Sequence, residues 1–489
     1  MSKLFKINDK DNVAVALEEL KKGEIIDNIK LLDDIPFGHK VLLNDLKSGE
    51  NIIKYGNPIG HLTIDCKKGE HIHEHNLKTN LSDIIEYKYF GENEYQPKKC
   101  NVTFNGYLRQ DGRAATRNEI WIIPTVGCVN NTAKRLEKIG QDIIGDGCDG
   151  VFAYTHPFGC SQLGDDQENT RKILASLANH PNAGGVLIVS LGCENTNAEI
   201  FKKYLGKYNK KRIKFLVTQD CENELEKGEK LLKELYTFVK SFKREPIPIN
   251  KLVVGYKCGG SDAFSGITAN ALCGRLTDKL TLFGTSAILT EVPEMFGAEK
   301  LLMKRCENEK VFNKCVNMIN SFKQYFFSHN QECYENPSPG NHDGGITTLE
   351  EKSLGCIQKG GKAVITDVLE YGEHCKKQGL NLLTGPGNDI VSTTNLTAAG
   401  ANIILFTTGR GTPLGASVPT IKVASNSRLA KRKSNWIDFN AGELIESNDF
   451  ENMTEEIFKL LIDIASGRQT KNEQNGYRDI SIFKDGVIM

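Results

Sequence analysis

Along the 489-residue chain the rhythm of apolar positions changes twice. Residues 1–97 carry an apolar start at Val13–Leu17 and short β-like stretches at Lys40–Leu43, Ile52–Tyr55 and His61–Ile64, punctuated by glycines at 56, 60 and 69. Short runs bounded by glycine predict strands and tight turns, hence a small β-rich domain. From 98 to 245 the pattern becomes apolar run, polar turn, helical segment. Glu119–Val126, Val151–Thr155, Val186–Leu191 and Ile213–Thr218 have strand length, and the helix after the last places Leu225, Leu232, Leu235, Val239 and Phe242 on one face. Such alternation predicts a parallel sheet with helical crossovers. Residues 246–489 repeat it, with strands near Lys251–Tyr256, Ala287–Glu291, Ala363–Val368, Ile403–Thr408 and Thr420–Ala424. A closing helix is expected from near Asn452, with Glu455 as capping-box partner, to Gly467. Boundaries are placed at about 97, in a polar stretch around Pro97, and at about 246, where Pro246 and Pro248 cannot continue a helix. The expected fold class is α/β: a small β-rich domain (1–97), then two α/β domains (98–245 and 246–489) with mainly parallel sheets.

Charge and composition narrow the function. Lys and Arg total 62 and Asp and Glu total 62, so no net field draws in nucleic acid or anionic lipid. The longest apolar runs, such as Val186–Val189 and Ile403–Phe406, fall far short of the ~18 residues of a membrane span. The polar N-terminus does not read as a signal peptide, so the 14 cysteines are expected in the reducing cytoplasm, as thiols or metal ligands. The expected partner is a small molecule, not nucleic acid or membrane, and assembly into a homo-oligomer is left open.

Three Gly-Cys turns follow consecutive strands of the middle domain: Cys128 in Thr-Val-Gly-Cys, Cys160 in His156-Pro-Phe-Gly-Cys, and Cys193 in Leu-Gly-Cys-Glu. Carboxyl ends of parallel strands share one edge, where open α/β proteins bind ligands. Three thiolates there suit iron or an iron-sulfur cluster with one open position. The alternative is that they are small buried hydrophobes, the better reading for Cys148, Cys306 or Cys315. His71, His73 and His75 alternate, so on a strand they would share one face and could hold a metal or relay a proton; the alternative is a solvated edge. Gly409-Arg-Gly-Thr-Pro-Leu-Gly415 resembles an anion-binding turn in which Arg410 grips a carboxylate. Gly145-Asp-Gly-Cys-Asp-Gly150 matches a dinucleotide pattern but precedes its strand, a chance match. Asn336–Asn341 and Gly385–Asp389 are rigid turns that could bind sugar hydroxyls or be purely structural.

A broader set of motifs carries a family resemblance. It comprises Gly38-His-Lys-Val-Leu-Leu43, Ile53-Lys-Tyr-Gly-Asn-Pro-Ile-Gly60, Gly69–Asn76, Arg117-Asn118, Gly159–Asp166, Leu191-Gly-Cys-Glu194, Cys258–Asn270, Leu289–Glu299, Glu351-Lys-Ser-Leu-Gly355, Thr407–Pro413 and Trp436–Gly442. Through these the chain resembles the altronate and galactarate dehydratase family over all three segments. The departures are Ala115 for a usual glycine, Ala271 for a proline and His342 for a lysine. The resemblance implies an N-terminal β-clip domain of the SAF type and iron-dependent dehydration of a sugar acid, with Mn(2+) able to substitute. The run Glu291–Glu299 favours altronate, which would become 2-dehydro-3-deoxy-D-gluconate in galacturonate breakdown, over galactarate. On these motifs His73, His75 and His156 are assigned to catalysis. Arg117, Asn118, Ser261, Asp262 and Arg410 are assigned to substrate binding, and Cys128, Cys160 and Cys193 to iron. A galactarate dehydratase or another sugar-acid lyase of the family is the alternative. A non-catalytic sugar-acid binding protein would lack the titratable groups found here, and a nucleotide-dependent oxidoreductase would need a Gly-rich turn between strand and helix.

Overall fold

The computed structural model describes residues 2–81, 84–333 and 336–487. Besides a separate hairpin pairing Ile25–Ile26 with Ile29–Lys30, the N-terminal domain holds two small antiparallel sheets. One orders β1 (Leu4–Phe5), β2 (Val13–Ala16), β3 (Lys40–Leu42) and β6 (His71–Ile72); the other orders β4 (Asn51–Lys54), β5 (Asn57–Leu62) and β7 (Leu77–Lys78). The expected strand at His61–Ile64 lies earlier, because Tyr55 and Gly56 both adopt positive φ (57° and 70°) and close a two-residue hairpin pairing Lys54 with Asn57. The histidine run is not one continuous strand. β6 ends at Ile72, and the carbonyl of His73 accepts from the amides of Asn76 and Leu77, so the chain loops back into β7.

Next comes β8 (Thr103–Leu108), then β9 (Glu119–Pro124), β10 (Val151–Ala153), β11 (Ala183–Ser190) and β12 (Ile213–Val217), the last four forming a parallel sheet in the order β10-β9-β11-β12. Every residue of β9 and β11 is buried, as expected of strands covered on both faces. Helix α1 (Asn130–Ile143) packs against α4 (Glu224–Val239), between which come α2 (Gly164–Ala178) and α3 (Ala198–Leu205). A Cβ on Gly228 would lie 2.5 Å from Leu136, so glycine sets how closely α1 and α4 approach. Leu232, Leu235 and Val239 are buried as their spacing predicted, whereas Phe242 lies beyond the helix end. The proline-spaced segment near 246 is itself a strand, β13 (Glu245–Pro248), paired antiparallel with β8.

The C-terminal region is built on seven parallel strands. In chain order they are β14 (Val253–Cys258), β15 (Ser286–Leu289), β16 (Ile365–Leu369), β17 (Gly379–Leu383), β18 (Ile403–Thr408), β19 (Thr420–Ala424) and β20 (Phe439–Asn440), arranged β16-β17-β15-β14-β18-β19-β20. β17 and β20 were not expected. The closing helix runs from Phe450 to Ala465 and is capped by Asp449, whose carboxylate accepts from the amide of Asn452, rather than starting at Asn452.

Candidate active site

Asn341, the third residue of the short helix Pro339–Asp343, is part of a capping box with Ser338. This helix and the loop after it bring the N-terminal domain against the C-terminal strand ends. Gly409 and Arg410 donate their amides to the carbonyl of Gly260 at 3.0 and 2.9 Å, which draws the turn after β18 over the turn after β14. A Cβ on Gly409 would stand 2.3 Å from the Asp262 carboxyl carbon, so this turn requires glycine. The result is a cleft of about 370 Å³, walled by Phe37 from the N-terminal domain and by Asp262, Asp343, Arg410, Asn426, Arg428 and Arg432. The Arg410 side chain is half exposed, and among the described residues the carboxylate it approaches is that of Asp343, at 3.8 Å. Asp262 is buried and accepts from Ser425 Oγ (2.8 Å), Ser265 Oγ and N (both 2.9 Å) and Asn426 Nδ2 (2.9 Å). Burial pushes its carboxyl up against the pull of these donors.

Beside the cleft the imidazoles gather. His39 Nδ1 and His71 Nε2 are 3.0 Å apart, His39 and His73 ring centres 4.7 Å, His71 and His75 5.3 Å, and His73 and His342 6.0 Å. His73 Nδ1 meets Thr347 Oγ1 at 2.8 Å, while its Nε2 faces Glu74 at 3.6 Å; His342 Nε2 faces the same carboxylate at 3.5 Å. Burial, then the charge of Lys40, lowers His73 to about 3, and burial with neighbouring imidazoles lowers His71 to about 3, so both are neutral at neutral pH. Among the described residues, His73, Glu74 and His342 are the one set of three potential ligands whose donor atoms all lie within 4.8 Å of one another. Two imidazoles and a carboxylate suit a divalent first-row metal.

Beneath this face runs a buried ionic seam. Lys40 and Lys54 both reach Glu351, at 2.9 and 2.6 Å; Lys257 and Lys359 share Glu291, and Lys352 pairs with Glu294 at 2.9 Å. Sequence reasoning passed over these residues, although a lysine inside the apolar strand β14 was a signal that a carboxylate must lie opposite.

The expected site residues part company here. Asp262 and Arg410 line the cleft, and Ser261 lies directly below it, its hydroxyl 2.5 Å from Cys258 Sγ and its carbonyl held by Asn341 Nδ2 at 2.8 Å. His73 joins the histidine cluster, with His75 exposed at its margin. His156, expected to be catalytic, is buried away from it. Its Nε2 bonds the Pro124 carbonyl at 2.8 Å, its Nδ1 accepts from the Phe158 amide, and burial lowers it to about 4; both nitrogens are engaged in shaping a loop. Arg117 and Asn118, expected to bind substrate, are likewise engaged within the protein. Arg117 gives hydrogen bonds to Glu473, Ile464, Arg468 and its neighbour Thr116, and Asn118 bridges Arg109, Gly147 and Val239. Cys128, Cys160 and Cys193 do stand on one sheet edge in adjoining turns, with Cys160 Sγ 3.2 Å from Asn195 Oδ1 and Cys193 Sγ 3.5 Å from Gln219 Nε2, but their sulfurs form no set within ligand spacing. His39, His342, Arg428 and Arg432 were missed.

A small β-rich domain laid against a parallel sheet, closing a cleft of three arginines and three carboxylates beside an imidazole cluster, defines an α/β architecture that can hold a small polar ligand. The chain belongs to the altronate/galactarate dehydratase family: residues 2–80 match the altronate/galactarate dehydratase SAF domain, 106–240 the D-galactarate dehydratase/altronate hydrolase second domain, and 249–488 the D-galactarate/altronate dehydratase C-terminal domain. It is 52% identical to an altronate dehydratase of Bacillus subtilis, over 100% of both chains. It is 48% identical to the altronate dehydratase of Escherichia coli over 99% of each, and 32% identical to that organism's L-threo-forming galactarate dehydratase over 99% of this chain and 97% of the other.

Proposed function

We propose that the protein is a hydro-lyase that removes water from D-altronate to give 2-dehydro-3-deoxy-D-gluconate. The observation that carries the reading is the meeting of two chemistries at one residue. The Asp343 carboxylate approaches Arg410 in the cleft, while its carbonyl lies 3.4 Å from His39 Nε2 in the histidine cluster. Arg410 binds the substrate carboxylate, and Arg428 and Arg432 raise the local concentration of the anion. An imidazole not used as a ligand, from His39 and His75, takes the C2 proton; as the C3 carbon–oxygen bond breaks, the imidazolium so formed returns that proton to the departing hydroxide, which leaves as water, and the enol tautomerises to the 2-keto acid. Fe(2+) or Mn(2+) held by His73, Glu74 and His342 would supply a Lewis acid for the negative charge that develops. With Nδ1–H of His73 donating to Thr347, Nε2 keeps the lone pair a ligand needs. This reading moves iron from the cysteine turns to the histidine tip. Cytoplasmic hexuronate breakdown is an expectation carried by the family resemblance.

Assay of altronate and galactarate with ferrous iron under reducing conditions tests the proposal. Faster formation of a 2-keto-3-deoxy acid from altronate is expected. A preference for galactarate would overturn the substrate and leave the reaction class standing.

A further inference from the structure

At the amino edge of the four-stranded sheet, opposite the cysteine turns, lies a second cavity of about 380 Å³. Its walls come from segments that lead into strands: Arg109 and Arg113 ahead of β9, and Lys207 and Arg212 ahead of β12, with Phe238 and Phe242 from the end of α4 as apolar walls. Four cations thus face one carboxylate, Asp111, which Arg113 already grips through Nε and Nη2 at 2.9 and 2.7 Å.

The remaining guanidiniums are held by neutral acceptors. Arg109 gives Nε to the Pro181 carbonyl at 2.7 Å, Nη1 to Asn118 Oδ1 at 2.8 Å and Nη2 to the Arg117 carbonyl at 3.0 Å, and lies over the Phe242 ring at 4.9 Å. Arg212 gives Nε to the Ala183 carbonyl at 3.0 Å and Nη2 to the His180 carbonyl at 2.7 Å. Carbonyls fix the orientation of a guanidinium without cancelling its charge. Burial, and then Arg109 and Arg113 beside it, lower Arg212 to about 9. Grouped like charges on fixed donors, partly shielded from water by aromatic rings, make a cavity whose chemistry suits an anion.

We propose that this cavity binds a small organic anion carrying at least two carboxylate or phosphoryl groups, at a site separate from the Arg410 cleft. Its position explains why the mechanism leaves it unused. Strand carboxyl ends carry the reaction cleft, whereas this cavity sits at the amino ends of a different sheet.

Titration calorimetry of the full chain at low ionic strength, with citrate and inorganic phosphate as probes and chloride at matched ionic strength as control, tests the proposal. Saturable binding of one probe per chain is expected, and which probe binds separates carboxylate from phosphoryl recognition. Arg113→Gln and Lys207→Gln, both at accessible positions, should each weaken binding at least tenfold with unchanged melting temperature, and Arg410→Gln should leave it unaltered. The proposal is overturned if neither probe binds beyond chloride, or if binding survives in the Arg113→Gln/Lys207→Gln double variant or disappears in Arg410→Gln.

Discussion

The imidazole of His73 meets the hydroxyl of Thr347 at 2.8 Å, joining residues 274 positions apart in the chain. Lys40 Nζ reaches the same hydroxyl oxygen at 2.7 Å, so Thr347 ties the N-terminal domain to the start of the helix Leu349–Cys356 through two side chains at once. An oxygen with two lone pairs accommodates both neighbours, which fixes the orientation of the His73 ring. Thr347→Val should lower affinity for ferrous or manganous ion by about 10- to 100-fold, read by metal titration under anaerobic conditions. Unchanged affinity would remove Thr347 from the ligand shell.

His73→Ala and His342→Ala are expected to reduce bound metal and turnover together, with little change in melting temperature, because both side chains are only partly buried. Metal analysis and thermal unfolding measured on the same preparations decide this. A fall in stability that matches the fall in activity would assign both residues to domain docking instead.

Arg410→Gln should act mainly on KM. Losing a bidentate carboxylate contact of about 1.5 to 3 kcal/mol corresponds to roughly a 10- to 100-fold rise in KM for altronate. Arg410→Lys, which keeps the charge and loses the fork, should recover part of it. An unaltered KM would place the substrate carboxylate elsewhere in the cleft.

Cys128→Ser, Cys160→Ser and Cys193→Ser, singly and combined, should retain metal and activity. The three turns share an edge, but no three of the described potential ligands there lie within ligand spacing. Loss of iron from the combined variant would return the metal to the cysteine turns.

Glu351 is buried between Lys40 and Lys54. Burial alone would raise its carboxyl, yet the two lysines hold it at about 2. A folded-state value below the unfolded one contributes stability that is present above the unfolded value, near 4.5, and is lost as pH falls toward 2. Glu351→Gln should therefore cost about 3 to 5 kcal/mol at neutral pH, by leaving two buried lysines unpaired, and should flatten the decline in stability between pH 4.5 and 2. Chemical denaturation across that pH range reads both effects, and an undiminished acid slope would contradict the assignment.

The sequence by itself determined the parts that local pattern encodes. Apolar runs such as Val186–Val189 specify buried parallel strands, since a strand covered on both faces hides consecutive apolar side chains; Ile403–Thr408 and Thr420–Ala424 coincide with observed strands to the residue. The motifs specified the family, and the Gly-Arg-Gly turn led to the one arginine of the cleft that was anticipated. Where a functional side chain points was decided only by tertiary structure. Arg117 and Asn118 carry the residue types of a substrate clamp, but their donors close on two helices from distant sequence, and no local pattern records those partners. His156 stands one turn from a strand end, as a catalytic histidine could, yet burial and two backbone bonds occupy it. His39 reaches His71 through the pairing of β3 with β6 inside the N-terminal domain, whereas His342, where the family resemblance places a lysine, reaches Glu74 only after that domain docks on the C-terminal sheet. The physical reason is one of range: secondary structure follows from neighbours along the chain, whereas a ligand set is a distance between side chains that only packing brings together.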